Sequence, residues 1–289
     1  MTEIIEVLSN IFTLVFVVGS MFALGLSLKF KQITEPLRNI GLVLRALLAN
    51  FVLVPALAYV ITLLIPMEDP FKIGLIILAS AAGAPFLPKL VQMAKGNIAI
   101  GVGVMVLLMV FTVIYVPLVL PLLLPGVSVN PADIASSLVV LMLIPLGIGL
   151  LIKARYPETA DKLQPTFSQA ANFGLMGLNV TMLLLNWRTL LGTIGSGAIF
   201  SALIFVVGSF FIGYLLAPNK ETRSTFDLGT AQRNIAAAMV VAGDNFSDPN
   251  VLVMVLVGAV LMMALLLPAA GEIGKRKSSD PVIASSQVG

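Results

Sequence analysis

Phe226-Asp-Leu-Gly-Thr-Ala-Gln-Arg-Asn-Ile235 carries three consecutive strongly polar residues, Gln232, Arg233 and Asn234, and continues into Ala-Ala-Ala-Met-Val-Val241. A charge at the centre of a bilayer costs at least ~2.5–3.5 kcal/mol on insertion scales, so it persists where it faces a cavity or a partner. An earlier stretch has the same character: Gly83-Ala-Pro-Phe-Leu-Pro-Lys-Leu90 interrupts another apolar run with two prolines and a lysine. Pro85 and Pro88 each lack a backbone donor and break the helical ladder. Two interrupted spans in corresponding halves point to a transporter's binding site.

Composition sets the class. Of 289 residues, 58% are hydrophobic and 11% are charged. A soluble domain carries about 25% charged residues. Repeated apolar runs of about 20 residues read as membrane helices. Barrel strands would alternate over ~10 residues, and no such alternation is present. With no cysteine and no histidine, disulfides, thiolate metal sites and the usual proton carrier are excluded. No metal or cofactor is expected. The net charge of +3 calls for no nucleic-acid partner.

Nine spans are expected. The first half holds four, at about 11–28, 40–65, 71–94 (interrupted) and 98–124. The second holds five, at about 134–152, 167–185, 194–217, 222–243 (interrupted) and 251–271. The loop Pro125–Pro131 is the midpoint, so 1–124 and 125–277 form the two repeats, and 278–289 is a polar tail. With nine spans, Lys29/Lys31/Arg38, Lys95, Lys153/Arg155/Lys162, Lys220/Arg223 and Lys275-Arg-Lys277 all fall on one face. The positive-inside rule then puts the N-terminus outside and the C-terminus in the cytoplasm. The interrupted spans run in opposite directions, as in an inverted repeat about an axis in the membrane plane.

Candidate site residues follow from polarity at depth. Arg233 is first, with Gln232, Asn234 and the neighbouring Gly229. Asp227 could pair with Arg233 or Arg223, and is the one carboxylate placed to carry a proton. Lys89 either faces the break or snorkels toward Lys95. Asn50 either lines a ligand site or bridges helices. Asn172, Asn179, Thr181 and Asn186 stripe one span and read as packing residues, Asn179 being a candidate for pocket lining. Met262 and Met263 could line an adaptable apolar pocket.

At these residues the chain resembles the bile acid:sodium symporter family. The most specific parts are Leu24-Gly-Leu-Ser-Leu-Lys29, Ala94-Lys-Gly-Asn97 and Gly229-Thr-Ala-Gln-Arg-Asn234. The resemblance implies an all-α fold of two inverted repeats, with this chain lacking the family's first helix. It implies a panel domain (11–28, 134–152, 167–185) and a core domain (40–124, 194–271). The interrupted helices would cross at the ion and substrate site. Members that bind sodium place Ser-Asn at the first break, where this chain has Leu87-Pro88, and Ser and Thr on the next helix, where Gly101 and Met105 align. Their Glu and Gln before an Asn fall at Gly229 and Arg233 when that Asn aligns with Asn234. A family Gln falls at Asn50. A frame shifted by two would bring Asp227 to the Glu position.

The expectation is a monomeric secondary carrier of the bacterial inner membrane, taking an organic anion such as a bile salt or small carboxylate by alternating access, independently of sodium. A sodium- or proton-coupled symporter using Asp227 is the alternative. A channel would show a polar stripe along several spans. An intramembrane enzyme would need His, Cys or paired carboxylates at depth.

Overall fold

Every described element is a helix, and the order follows the apolar runs. The computed structural model describes residues 2–124, 130–193 and 195–278; the side chain of Asn179 and those of residues 185–192 lie outside the described set, as do the tail beyond Ser278 and most of the midpoint loop. The first helix, α1 (Thr2–Ser27), leads into the short α2 (Phe30–Thr34), then α3 (Ile40–Leu48), a π-helical turn at Ala49–Leu53, and α4 (Val54–Leu64). Pro55 follows the π-helical turn inside one continuous span, where its missing donor leaves a carbonyl of the preceding turn without its helical partner. Next come α5 (Asp69–Ser80), α6 (Leu87–Met93), α7 (Ile98–Leu123), α8 (Pro131–Leu138), α9 (Ile144–Arg155) and α10 (Pro157–Gly192). The last part holds α11 (Ala198–Leu216), α12 (Lys220–Ala231), α13 (Ile235–Asn245) and α14 (Pro249–Ser278).

Among the described residues, six helical stretches are long and apolar enough to cross a membrane. Their outward faces are apolar: Leu64, Leu122, Leu151 and Leu215 are 75%, 77%, 70% and 78% exposed. Burial of these faces is what lipid supplies. The interior is formed by α5, α7, α12, α13 and α14. Nearly all of α12 is buried although it is rich in Ser, Thr and Asp, so protein, not lipid, surrounds it.

The interrupted runs are real, but the first break lies earlier than the prolines suggest. The chain leaves helix after Ser80 and re-enters at Leu87, so the break is 81–86. Pro88 is in the first turn of α6 and Lys89 follows it inside the helix. Proline is favoured there, because a first-turn N–H has no intrahelical partner anyway. The break itself turns on Gly83, with φ +80°, a conformation that side chains disfavour. A Cβ there would stand 2.2 Å from the Met109 nitrogen. In the second span α12 runs through Gly229 to Ala231, so only Gln232–Asn234 is non-helical.

Lys95 and Lys277 gather at one end with the first turns of α12. Lys277 Nζ donates to Ser224 Oγ at 3.0 Å and to the Lys95 carbonyl at 3.4 Å. Asn97 donates to Glu221 at 2.9 Å.

Candidate functional site

The two breaks meet. The Asn234 amide N–H donates to the Ala81 carbonyl at 2.9 Å, and its side-chain Nδ2 donates to the Gly83 carbonyl at 3.1 Å. The same side chain caps α13, its Oδ1 accepting from the Ala237 amide at 3.1 Å. One asparagine therefore joins the first break to the start of α13. From α7, Thr112 closes the other side of the break: its Oγ1 accepts from the Ala82 amide and donates to the Ala82 carbonyl. Buried backbone groups freed by a helix break need such partners.

Arg233 is completely buried at this junction. Its guanidinium is spent on protein acceptors. Nε donates to the Leu78 carbonyl at 3.3 Å and Nη2 to the Ala79 carbonyl at 2.6 Å, both in the last turn of α5. Nη1 donates to the Thr230 carbonyl at 3.2 Å, in the last turn of α12, and to Asn50 Oδ1 at 2.7 Å. Nη2 also reaches the Asn50 carbonyl at 3.4 Å. All five guanidinium donors are thus engaged. Helix C-termini carry partial negative charge and orphan carbonyls. Arg233 places one fixed positive charge between two of them. Asn50 can serve because the π-helical turn lies at that point of the second span; such bulges redirect local groups at functional sites. Its Nδ2 returns to the Ala46 carbonyl at 3.0 Å.

A cavity of about 850 Å³ lies beside the junction. One wall comes from α1 and α10, the other from α6, α13 and α14. Pro85, Pro88, Lys89, Gln232 and Arg233 line it, as does Met263. The far wall is polar: Gln164, Ser168 and Asn172 from α10 face it, with Gln32 beside α1. Their four-residue spacing on α10 is the signal that sequence reading passed over when it took Asn172 for a packing residue. Among the described residues no Asp or Glu lines the cavity. Lys89 is exposed there, its Nζ 3.4 Å from Gln92 Oε1. Gln232 is 2% exposed and its Oε1 has no partner among the described residues. The cavity also takes in Ile235 and Ala236, in the first turn of α13, where backbone amides present positive partial charge.

Several expected roles are redistributed. Asn50 is a partner of Arg233 and does not line the cavity. Met262 is fully buried, and its sulfur accepts from the Arg233 amide at 3.2 Å, so it packs the junction while Met263 faces the cavity. Gly229 is covered by Leu87, whose Cδ2 would stand 2.9 Å from an added Cβ. Asp227 makes no ion pair with Arg233 or Arg223. Its Oδ1 accepts from the Leu228 amide at 2.7 Å, and Arg223 instead lies 4.5 Å over the Tyr214 ring. Among the described residues no group of three or more carboxylates gathers to hold a metal ion.

Two interrupted helices that meet inside a bundle of apolar helices, with a largely apolar cavity edged by polar side chains at their junction, define a multi-pass membrane protein organised around a helix crossover. The chain belongs to the sodium bile acid symporter family, whose sequence model matches residues 13–193. It is 25% identical over 84% of its length to a probable sodium/metabolite cotransporter, BASS2 of Oryza sativa subsp. japonica, chloroplastic. It is 23% identical over 84% of its length to a probable sodium/metabolite cotransporter, BASS5 of Arabidopsis thaliana, also chloroplastic. An uncharacterised sodium-dependent transporter, YocS of Bacillus subtilis, is 24% identical over 68% of the chain. The chain spans 59%, 63% and 60% of the lengths of these three relatives.

Proposed function

We propose that this chain is a secondary carrier of an organic anion, working by alternating access and without sodium. Arg233 carries the reading. Its guanidinium joins the carbonyl ends of α5 and α12, which is the electrostatic task a bound cation would perform at a crossover of helix ends. A mobile cation 4 Å from that guanidinium would be repelled by ~4 kcal/mol at an effective dielectric of 20. Leu87 fills the space beside Gly229, and apolar Met105 stands on α7, so few oxygens remain for a hard cation. Leu87-Pro88, aligned with the family's Ser-Asn, sit in α6 after the break.

In this reading the nine spans are the six apolar stretches, α10, and the two end-to-end pairs α5–α6 and α12–α13. They form inverted repeats, a panel of α1, α8–α9 and α10, and a core of the rest. The protein sits in a bacterial inner membrane as a monomer, with its N-terminus outside. The anion, a bile salt or small carboxylate, enters the cavity between panel and core. Its carboxylate meets Lys89 and the first turn of α13, and a hydroxyl or amide donor meets Gln232 Oε1. The polar face of α10 favours a small carboxylate over a steroid.

The sodium-coupled reading has the family's name and its relatives' descriptions behind it. Uptake of radiolabelled taurocholate and of small carboxylates into proteoliposomes decides between them. At constant ionic strength, replacing sodium by potassium leaves uptake unchanged if Arg233 stands in for the ion. A steep rise with sodium overturns that assignment.

A further inference from the structure

Ser224, Asp227 and Thr230 are polar residues of α12, and Arg233 follows in the break after it. All four are buried, at 1%, 3%, 1% and 0% exposed. At the basic end of the bundle Lys277 Nζ donates to Ser224 Oγ at 3.0 Å. Thr230 Oγ1 has no partner among the described residues, although its carbonyl accepts from Arg233. Asp227 forms no salt bridge among them.

The helices packed against α12 are α6, α7, α11 and α14. Their ionisable groups are Lys89 on α6, Tyr115 on α7, Tyr214 on α11, and Glu272, Lys275, Arg276 and Lys277 on α14. The charges that act on Asp227 are Lys277 and, from its own helix, Arg223. A buried carboxylate held near cations but bonded only to a neighbouring amide is free to exchange a proton. A structural role would be met as well by asparagine.

We propose that Asp227 is a proton-binding site that couples anion movement to proton movement. The inference rests on the carrier reading above. A proton from water at one face binds a carboxylate oxygen of Asp227, travels with the core, and leaves to water at the other face. Arg233 keeps its charge throughout, so one proton accompanies one monoanion and no net charge crosses. Asp227 lies four residues before the end of α12 at Ala231, so a carboxylate bound beyond that end, beside the crossover, is on the order of 9 Å away. At about that separation and an effective dielectric of 20, two like charges repel enough to change an equilibrium constant by roughly tenfold. Neutral Asp227 therefore favours anion binding beside the crossover.

Two measurements test this on the full chain. Infrared titration of the protein in lipid nanodiscs is expected to show a protonated-carboxyl band at acid pH that Asp227→Asn lacks and exposed-site Asp69→Asn keeps. Proteoliposomes given taurocholate or pyruvate are expected to accumulate the taken-up probe roughly tenfold more with acid outside, an effect lost in Asp227→Asn and kept in Asp227→Glu. An unchanged infrared band in Asp227→Asn, or uptake indifferent to the pH gradient, overturns the proposal. Uptake of neither probe by the wild type strikes instead at the carrier reading, because the infrared arm needs no transport.

Discussion

Arg233 Nη1 donates to Asn50 Oδ1 at 2.7 Å, a hydrogen bond between residues 183 positions apart. It ties the crossover to a span that is not itself interrupted. Asn50 gives the guanidinium two acceptors, and the ends of α5 and α12 give it three more. The positive charge is built into the fold.

Removing that charge should cost stability as well as function. Arg233→Met takes the guanidinium from five interior oxygens, of which the Leu78 carbonyl keeps the Ala81 amide. Breaking a buried charged network from one side costs roughly 3–5 kcal/mol. Thermal unfolding in detergent should show a large drop. Arg233→Lys should fall between, since one ammonium has three donors in place of five. A methionine variant as stable as wild type would show that the network contributes nothing.

Restoring a sodium site needs more than the family's ligands. Gly229→Glu with Arg233→Gln should show no sodium-dependent thermal shift, because the new side chain meets Leu87. Adding Leu87→Ala should open room for the carboxylate and allow a shift. A sodium response in the double variant would mean that Leu87 moves aside readily.

Gly83 should tolerate no side chain. Its φ of +80° is one problem, and the Met109 backbone nitrogen 2.2 Å from the Cβ position is the other, since neither atom sits on a flexible side chain. Gly83→Ala should fail to yield folded protein by size-exclusion profile. Gly147→Ala, on an open helix face with nothing within 4 Å, should express like wild type.

Lys89 should act on capture of the anion. Its side chain is exposed on the cavity wall and makes only a long contact with Gln92. Lys89→Gln should raise the KM for a carboxylate about three- to tenfold with little change in kcat. Exposed charges are screened by salt, so the gap should narrow at high ionic strength. An unchanged KM would remove Lys89 from the site.

Topology can be read without removing native thiols, since the chain has none. Single cysteines at positions 68 and 220 should label from opposite sides of intact vesicles. Labelling of both from one side would contradict the nine-span arrangement.

The bilayer makes much of this protein legible in the residues alone. Without water in the hydrocarbon, backbone groups must pair within helices, so apolar runs mark helices and polar interruptions mark their breaks. The pairing of two broken spans, the centrality of Arg233 and the family could be read that way. Which way Arg233 points could not. Its acceptors at Leu78, Ala79 and Thr230 are main-chain carbonyls, which every residue has and no side chain advertises. The position of the first break was misread for a related reason. Pro85 does lie in the break, but Pro88 sits in the first turn of α6, which proline suits, and the turn depends on Gly83 against the Met109 backbone. Tertiary structure also decided the cavity's polar wall, because Gln164, Ser168 and Asn172 acquire a common purpose only where α10 faces the crossover across a shared space. The sequence determined that a positive charge had to be accommodated at membrane depth. Only the meeting of three distant helix segments decided that it would be held by carbonyls, where helix ends supply the negative partial charge.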